Sequence, residues 1–334
     1  MLATRDTTSD FPAPGIKDTL SVLASTAFHP LRSWRWLQFI KTNPLLCDAA
    51  GSPLSHLARI HRPYLARNLG SRDRMALIAS HYEHAAASGF GPMIRQAMRT
   101  PLQLCTFKGR SGKLYELQLS ALELQRQDGE LVLRLLSHAD CIYSAAFLLT
   151  VDGEHCWLTL GALDGMLAVD RNFGIKQVTR DLYGVRPKDL MVTVLQDIAG
   201  CLGCEGLVLV GNRNKLPERR RHFCKKSADY DRSWRELRAA ARADGNFELP
   251  PRHPLPAASG QNAAYTGYPQ APMNRGTQLL DSIRCAVHAQ LGSRRTSGRY
   301  NFAAAPASAP ARTEDAERPA SHSEEFAAMR RSHP

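Results

Sequence analysis

Apolar positions recur every three or four residues over the first hundred residues of the chain, and alternate over the next sixty. "SWRWLQFIK" at 33–41 and "SRDRMALIASHYEHAAASGF" at 71–90 carry the helical spacing. Ser71 stands where an N-cap belongs, ahead of an apolar stripe of Met75, Leu77, Ile78, Tyr82 and Ala85. Between the two runs, "RIHRPYLARNLG" is broken by Pro63 and turned by Gly70, so residues 17–100 read as a set of helices.

From Pro101 the period changes to two. "KLYELQLS" puts Tyr115, Leu117 and Leu119 on one face, and "ELVLRLLS" does the same with Leu131, Leu133 and Leu135. Ser111-Gly112, Asp128-Gly129 and Asp152-Gly153 separate the runs as hairpin turns, with Asp-Gly supplying positive φ. "IYSAAFLLTV" and "HCWLTLGAL" are apolar on both faces and read as central strands, giving an antiparallel meander of about five strands. "IKQVTRDLYGVRPKDLMVTVLQDIAGCLG" at 175–203 then reads as two helices, with Gly184 at a left-handed C-terminal position and Pro187 opening the second. "EGLVLVGN" returns to the sheet as a buried strand. The pattern predicts an α+β protein in which N-terminal helices precede a meander sheet, a helix pair and a returning strand.

Composition then sets the boundaries. The chain has 334 residues, of which 43% are hydrophobic. Residues 1–16 and 293–334 lack apolar periodicity; they are expected to be a flexible N-terminus and a disordered tail around one domain at 17–292, helical over 17–100 and sheet-centred over 101–292. The net charge is +12, and residues 212–242 hold eleven basic against four acidic residues. That segment suits an anionic surface, either nucleic acid or membrane headgroups; the alternative is a solvated loop and helix face. No apolar run reaches the roughly 20 residues that span a bilayer. The N-terminus lacks a cleanly basic start and a sustained apolar stretch, so a cytoplasmic location is expected.

Candidate chemistry is sparse. Among eight cysteines, Cys201 and Cys204 form a C-x-x-C followed by His222 and Cys224, a set weighed as a zinc site against buried structural thiols; no metal is expected. Arg186 occupies an N-cap position and Lys188 follows Pro187, where cations oppose the helix dipole by about 0.3–1 kcal/mol each. Such a site wants an anion: a ligand, or an internal carboxylate such as Asp164, Asp189 or Glu130.

Several separated stretches together resemble the bacterial VirK/YbjX family, whose domain has no established biochemical activity. They are "HRPYL" with Arg62, Pro63 and Tyr64; "HY" with Tyr82; "DGELVLRL" with Glu130; "IKQVTRDLYGVRPKDLM" with Gly184 and Pro187; "DYDRSWREL" with Asp229, Tyr230, Asp231 and Trp234; and "FELPP" at 247–251. The late "RGTQLLDSIRCAVHAQL" resembles the family's closing helix. Where the family pattern has Gly-x-x-Gln-Gly, this chain has "GALDG", placing Asp164 before Gly165, and Tyr183 stands where histidine is usual. The resemblance implies association with stress responses including DNA damage, with virulence and with envelope resistance to cationic peptides.

Two functions from different classes follow, and whether the chain is an enzyme stays open. The first is a non-enzymatic accessory factor, since no nucleophile–base arrangement is apparent; Ser233 with Glu236 fits a capping box, with Trp234 packed beneath. The second is an acyltransferase-like enzyme, because the order of strands and helix is similar to the acyl-CoA N-acetyltransferase arrangement. "RNFGIK" partly resembles that superfamily's pyrophosphate loop, with Arg171 and Gly174 matching and Lys176 replacing a small residue. Acyl-CoA is the cofactor of that alternative, bound at a strand-to-helix turn, with Glu130, Tyr143 or Tyr183 handling protons.

Overall fold

A computed structural model describes residues 16–47, 52–122, 127–138, 140–165, 171–216, 229–252 and 274–297. The expectations for the far N-terminus and for the tail beyond 297 lie outside these residues.

Five helices come first: α1 (Ile16–Phe28), α2 (Pro30–Thr42), α3 (Pro53–His61), α4 (Ser71–Ala87) and α5 (Gly91–Arg99). Ser71 is the first helical residue of α4 and Gly70 is the N-cap, its N–H donating to Asp73 Oδ2 at 3.2 Å. The Ser71 hydroxyl is instead turned to Arg32 on α2. α3 ends at Arg62 because Pro63 forces the preceding residue out of the helical region, and Arg62 is extended at φ −100°, ψ 157°.

The sheet then runs β1 (Leu102–Lys108), β2 (Leu114–Ala121), β3 (Leu131–Ser137), β4 (Asp140–Asp152) and β5 (His155–Gly165), each antiparallel to the last. After α6 (Arg171–Asp181) and α7 (Pro187–Leu202), β6 (Leu207–Leu209) returns parallel to β5. Next come α8 (Tyr230–Glu236), β7 (Ala240–Ala241), β8 (Phe247–Leu249) and α9 (Arg275–Ser297). The strand order is β1-β2-β3-β4-β5-β6-β8-β7. β7 and β8, too short to show a period, extend the sheet beyond the five-strand meander and the returning strand. α9 continues past 292, the boundary expected from composition.

Two of the three glycine turns are hairpins, with φ +83° at Gly112 and +59° at Gly153. Gly129 has another role. It is not in the left-handed region and lies against the Phe147 backbone, where a Cβ would overlap. The need there is for close approach.

α4 packs on β4, α5 on β2, and α7 on β3 to β6, while α9 covers β1 and α7. The central strand β4 is buried from Ser144 to Leu149, as its unbroken apolar run requires. No helix among the described residues is long and apolar enough to cross a membrane.

Candidate functional site

The separated motifs converge on two adjoining clusters. The first is centred on Glu130, just ahead of β3 and 1% exposed. Its Oε1 accepts from the Tyr64 hydroxyl, and its Oε2 accepts from the Tyr82 hydroxyl and Arg59 Nη2. The Arg59 guanidinium also lies 5.9 Å from the Trp36 ring centroid and 6.0 Å from that of Tyr82. A carboxylate buried this completely has to be paired and hydrogen-bonded, and here it has three donors. Burial raises the Tyr64 pKa well above the ordinary phenol value and pushes Tyr82 up to about 12, so both stay donors.

Histidines border this cluster. β4 outruns β3, and the ladder donor left over at Leu149 N finds His81 Nδ1 at 3.1 Å. Burial, with Arg59 nearby, holds His81 down to about 3 and His56 down to about 4, so both are neutral. His81 then carries its proton on Nε2, which has no partner among the described residues; neither have His56 Nδ1 and Arg59 Nη1.

The second cluster fills the place where β5 and β6 part. Their ladder covers Leu158–Leu160 against Leu207–Leu209 and closes with Val210 N donating to Leu160 O at 3.1 Å. β5 runs on to Gly165 without β6. Gly161 bulges out of register with β4, and a Cβ there would overlap the Asp128 carbonyl and crowd Leu65. Beyond the bulge Leu163 N donates to Tyr230 Oη at 3.1 Å. Tyr230 opens α8, capped by Asp229, whose Oδ1 accepts from Arg232 N at 3.1 Å. The cap is therefore Asp229, and Ser233 sits inside the helix, which corrects the capping box expected there. Asn212 ties the group together, donating from its backbone to Asp231 Oδ1 at 2.7 Å and from its amide to Asp229 Oδ1 at 2.8 Å, and accepting from Tyr230 N at 2.9 Å. Trp234 is fully buried, its Nε1 donating to Val210 O at 2.9 Å. Burial first, then the Asp164 carboxylate, raises the Tyr230 pKa and keeps its hydroxyl protonated.

The clusters touch through the backbone: Leu65 N donates to Gln127 O at 2.7 Å and Arg67 N to Asn214 O at 2.8 Å. Together they line the carboxyl ends of the one parallel strand pair among the described residues, where ligands of parallel sheets characteristically bind.

The other sequence candidates fall as follows. Arg186 and Lys188 flank Pro187 as expected, and internal carboxylates meet them. Arg186 Nε donates to Asp189 Oδ2 at 2.7 Å, while Arg186 Nη1 and Lys188 Nζ donate to Glu236 Oε2 at 3.2 and 3.0 Å. Of the three partners proposed from sequence only Asp189 serves, because Glu130 is committed to Arg59 and the second carboxylate arrives from α8. Gly184 is left-handed at φ +91°, following Tyr183 at φ +54°. Gly165 ends β5, with Ile175 of α6 packed over it. Arg171, Gly174 and Lys176 all lie on α6, so the "RNFGIK" stretch is the opening of a helix rather than a turn. Lys176 is exposed there. Of the cysteine set, Cys204 Sγ lies 3.3 Å from Cys156 and Cys201 Sγ lies 2.8 Å from His288 Nδ1; His222 and Cys224 are outside the described residues. The Cys201–His288 contact sets a thiol against an imidazole, an arrangement not apparent in the sequence. Arg59, His288 and Asp197 were also missed, since each sits on a helix whose pattern names only its apolar face.

Fold and clusters define a mixed α+β protein built on a largely antiparallel eight-stranded sheet. The chain belongs to the family described as "Protein of unknown function (DUF535)", whose model matches residues 16–258. It is similar to "Uncharacterized protein YbjX" of Escherichia coli (strain K12), at 24% identity over 233 residues, covering 68% of this chain and 69% of that protein. No solved structure matches the chain.

Proposed function

We propose that this protein binds an acyl-CoA at the mouth between β5 and β6, and acts in the bacterial cytoplasm as a transferase-like member of its family. The observation that carries this reading is the parting of the parallel pair after Leu160, with β5 continuing past a bulge to Gly165. Such a split leaves a strand edge beyond the bulge, where Leu163 N pairs with the Tyr230 hydroxyl, for the amides of a pantetheine arm to take up. α6 begins close behind β5, and the first N–H groups of a helix favour phosphate. Lys176 adds an exposed cation on the same helix. Tyr230 places a protonated hydroxyl beside the split, where it can hydrogen-bond the carbonyl of a bound thioester. The setting that goes with this reading is the one the family resemblance implies: stress including DNA damage, virulence, and envelope resistance to cationic peptides. Titration calorimetry with acetyl-CoA and longer acyl-CoAs tests it. Binding weakened by Tyr230→Phe is the expected result, and no heat at millimolar ligand removes the reading.

A second reading, an accessory factor on an anionic membrane face, is favoured by a different observation. Phe28, Leu31 and Trp34 are exposed at the α1–α2 corner, beside the exposed cations Arg35 and Lys41. Apolar anchors beside cations suit a headgroup surface, with the basic 212–242 segment as further attraction. Co-sedimentation with phosphatidylglycerol vesicles at low and high salt, in parallel with duplex DNA, is the test; absence of salt-sensitive binding to either excludes it.

A further inference from the structure

At the other end of the β5–β6 pair, where α7 leads into β6, lies a constellation that neither cluster uses. Cys201 Sγ on α7 is 2.8 Å from His288 Nδ1 on α9. The opposite ring nitrogen, His288 Nε2, is 3.3 Å from Asp197 Oδ1, one helical turn before Cys201. Asp197 is fully buried, and Arg284 clamps it with Nε 2.9 Å from Oδ2 and Nη2 2.9 Å from Oδ1.

The carboxylate fixes the tautomer. Paired with a guanidinium, Asp197 is an acceptor only, so the imidazole turns Nε2–H toward it and presents the Nδ1 lone pair to sulfur. We infer that Cys201, His288 and Asp197 form a thiol–imidazole–carboxylate relay that makes Cys201 a nucleophilic site for electrophilic carbon, separate from the β5–β6 mouth. In the reaction the Sγ proton passes to Nδ1 and the sulfur pair forms a bond to carbon. The bond from that carbon to its leaving group breaks, and the leaving group departs with the bonding pair. One effect opposes this. Cys201 is in the last turn of α7, where the helix dipole disfavours an anion. The imidazolium formed in contact with sulfur, with Arg284 behind Asp197, outweighs that partial charge.

Cys47 and Cys285 are the internal references, because both are more exposed than Cys201. Lowering a thiol pKa by about two units raises its thiolate fraction at pH 7 about 25-fold and costs about eightfold in nucleophilicity, a net gain of about threefold. The experiment is alkylation of the full chain by iodoacetamide at pH 7, with peptide mass spectrometry giving a rate for each cysteine. The expected result is that Cys201 reacts at least about threefold faster than either reference. In His288→Gln that advantage disappears while the reference rates stay unchanged, and the buried Cys105 and Cys156 staying protected reports that the variant is folded. Equal or slower reaction of Cys201 in the unaltered protein overturns the relay, and so does a fast Cys201 that ignores the loss of His288. The wild-type ratio decides on its own if the variant does not fold, and acyl-CoA binding at the mouth is independent of either outcome.

Discussion

Glu130 and Glu236 each gather three partners in opposite surroundings. Glu130, 1% exposed, holds Arg59, Tyr64 and Tyr82 and so joins α3, the segment after it and α4 to the start of β3. Glu236, with its side chain 38% exposed, holds Arg186, Lys188 and Arg232 and latches α8 to the start of α7. Water competes for every bond at Glu236 and for none at Glu130. A tally of contacts would rank the two alike; the cost of leaving their partners unpaired separates them. The family motifs supply both: "HRPYL", "HY" and "DGELVLRL" each give a member of the buried cluster, while "IKQVTRDLYGVRPKDLM" and "DYDRSWREL" give the members of the exposed latch.

The largest expected effect is therefore at Glu130. Glu130→Gln keeps the shape and leaves the Arg59 charge buried, which should cost about 3–5 kcal/mol in urea unfolding. Adding Arg59→Met should recover part of the loss, because the stranded charge goes with it. A loss below about 1 kcal/mol for the single variant would erase the contrast with Glu236.

Acid is the next lever, and it reaches the buried cluster before the latch. His56 and His81 are held to about 4 and about 3 in the native protein, whereas both titrate near the ordinary histidine value of 6.5 once unfolded. Between those values the unfolded chain binds more protons, so their contribution is complete above about pH 6.5 and is lost as pH falls toward 4. Each histidine adds a slope of up to about 1.4 kcal/mol per pH unit. The Glu236 carboxyl is held below its usual range by Lys188 and Arg186, and its contribution disappears only at lower pH. A urea series from pH 7 to 5 thus reads the buried cluster together with His61 at the α2–α3 contact, which burial and neighbouring cations also lower, and His81→Gln should remove up to about half of the slope. A flat series would mean that the two rings already bind protons in the native state.

The meander, the helix pair and its break at Gly184 and Pro187 were legible because period and turn chemistry are local. Glu130, Tyr64, Tyr82, Tyr230 and Trp234 could be named as motif residues, yet nothing local says that Tyr64 and Tyr82 share one carboxylate or that Tyr230 reaches β5. The partner of Arg186 and Lys188 was half legible: Asp189 is three residues from Arg186, while Glu236 is brought in from α8 by the fold. Asp128-Gly129 misled for a related reason. The dipeptide carries the hairpin signal, but its glycine is needed for contact with Phe147 on a distant strand. The Cys201–His288 pair joins residues 87 apart, each hidden in an apolar helix pattern.

The smallest expected effect also bears most directly on the two cations. Glu236→Gln should cost no more than about 1 kcal/mol, because Glu236 is exposed and Arg186 keeps Asp189. Most of that cost should vanish at high salt, since surface pairs are screened. The variant leaves Lys188 without its Glu236 partner beside the N-terminus of α7, the arrangement that favours an external anion. Sulfate should then stabilise Glu236→Gln more than chloride does at equal ionic strength, and by more than it stabilises the unaltered chain, when melting temperatures are compared. Were the unaltered chain to show the same sulfate preference, Glu236 would not be satisfying these cations, and the start of α7 would be an open anion site rather than a closed latch.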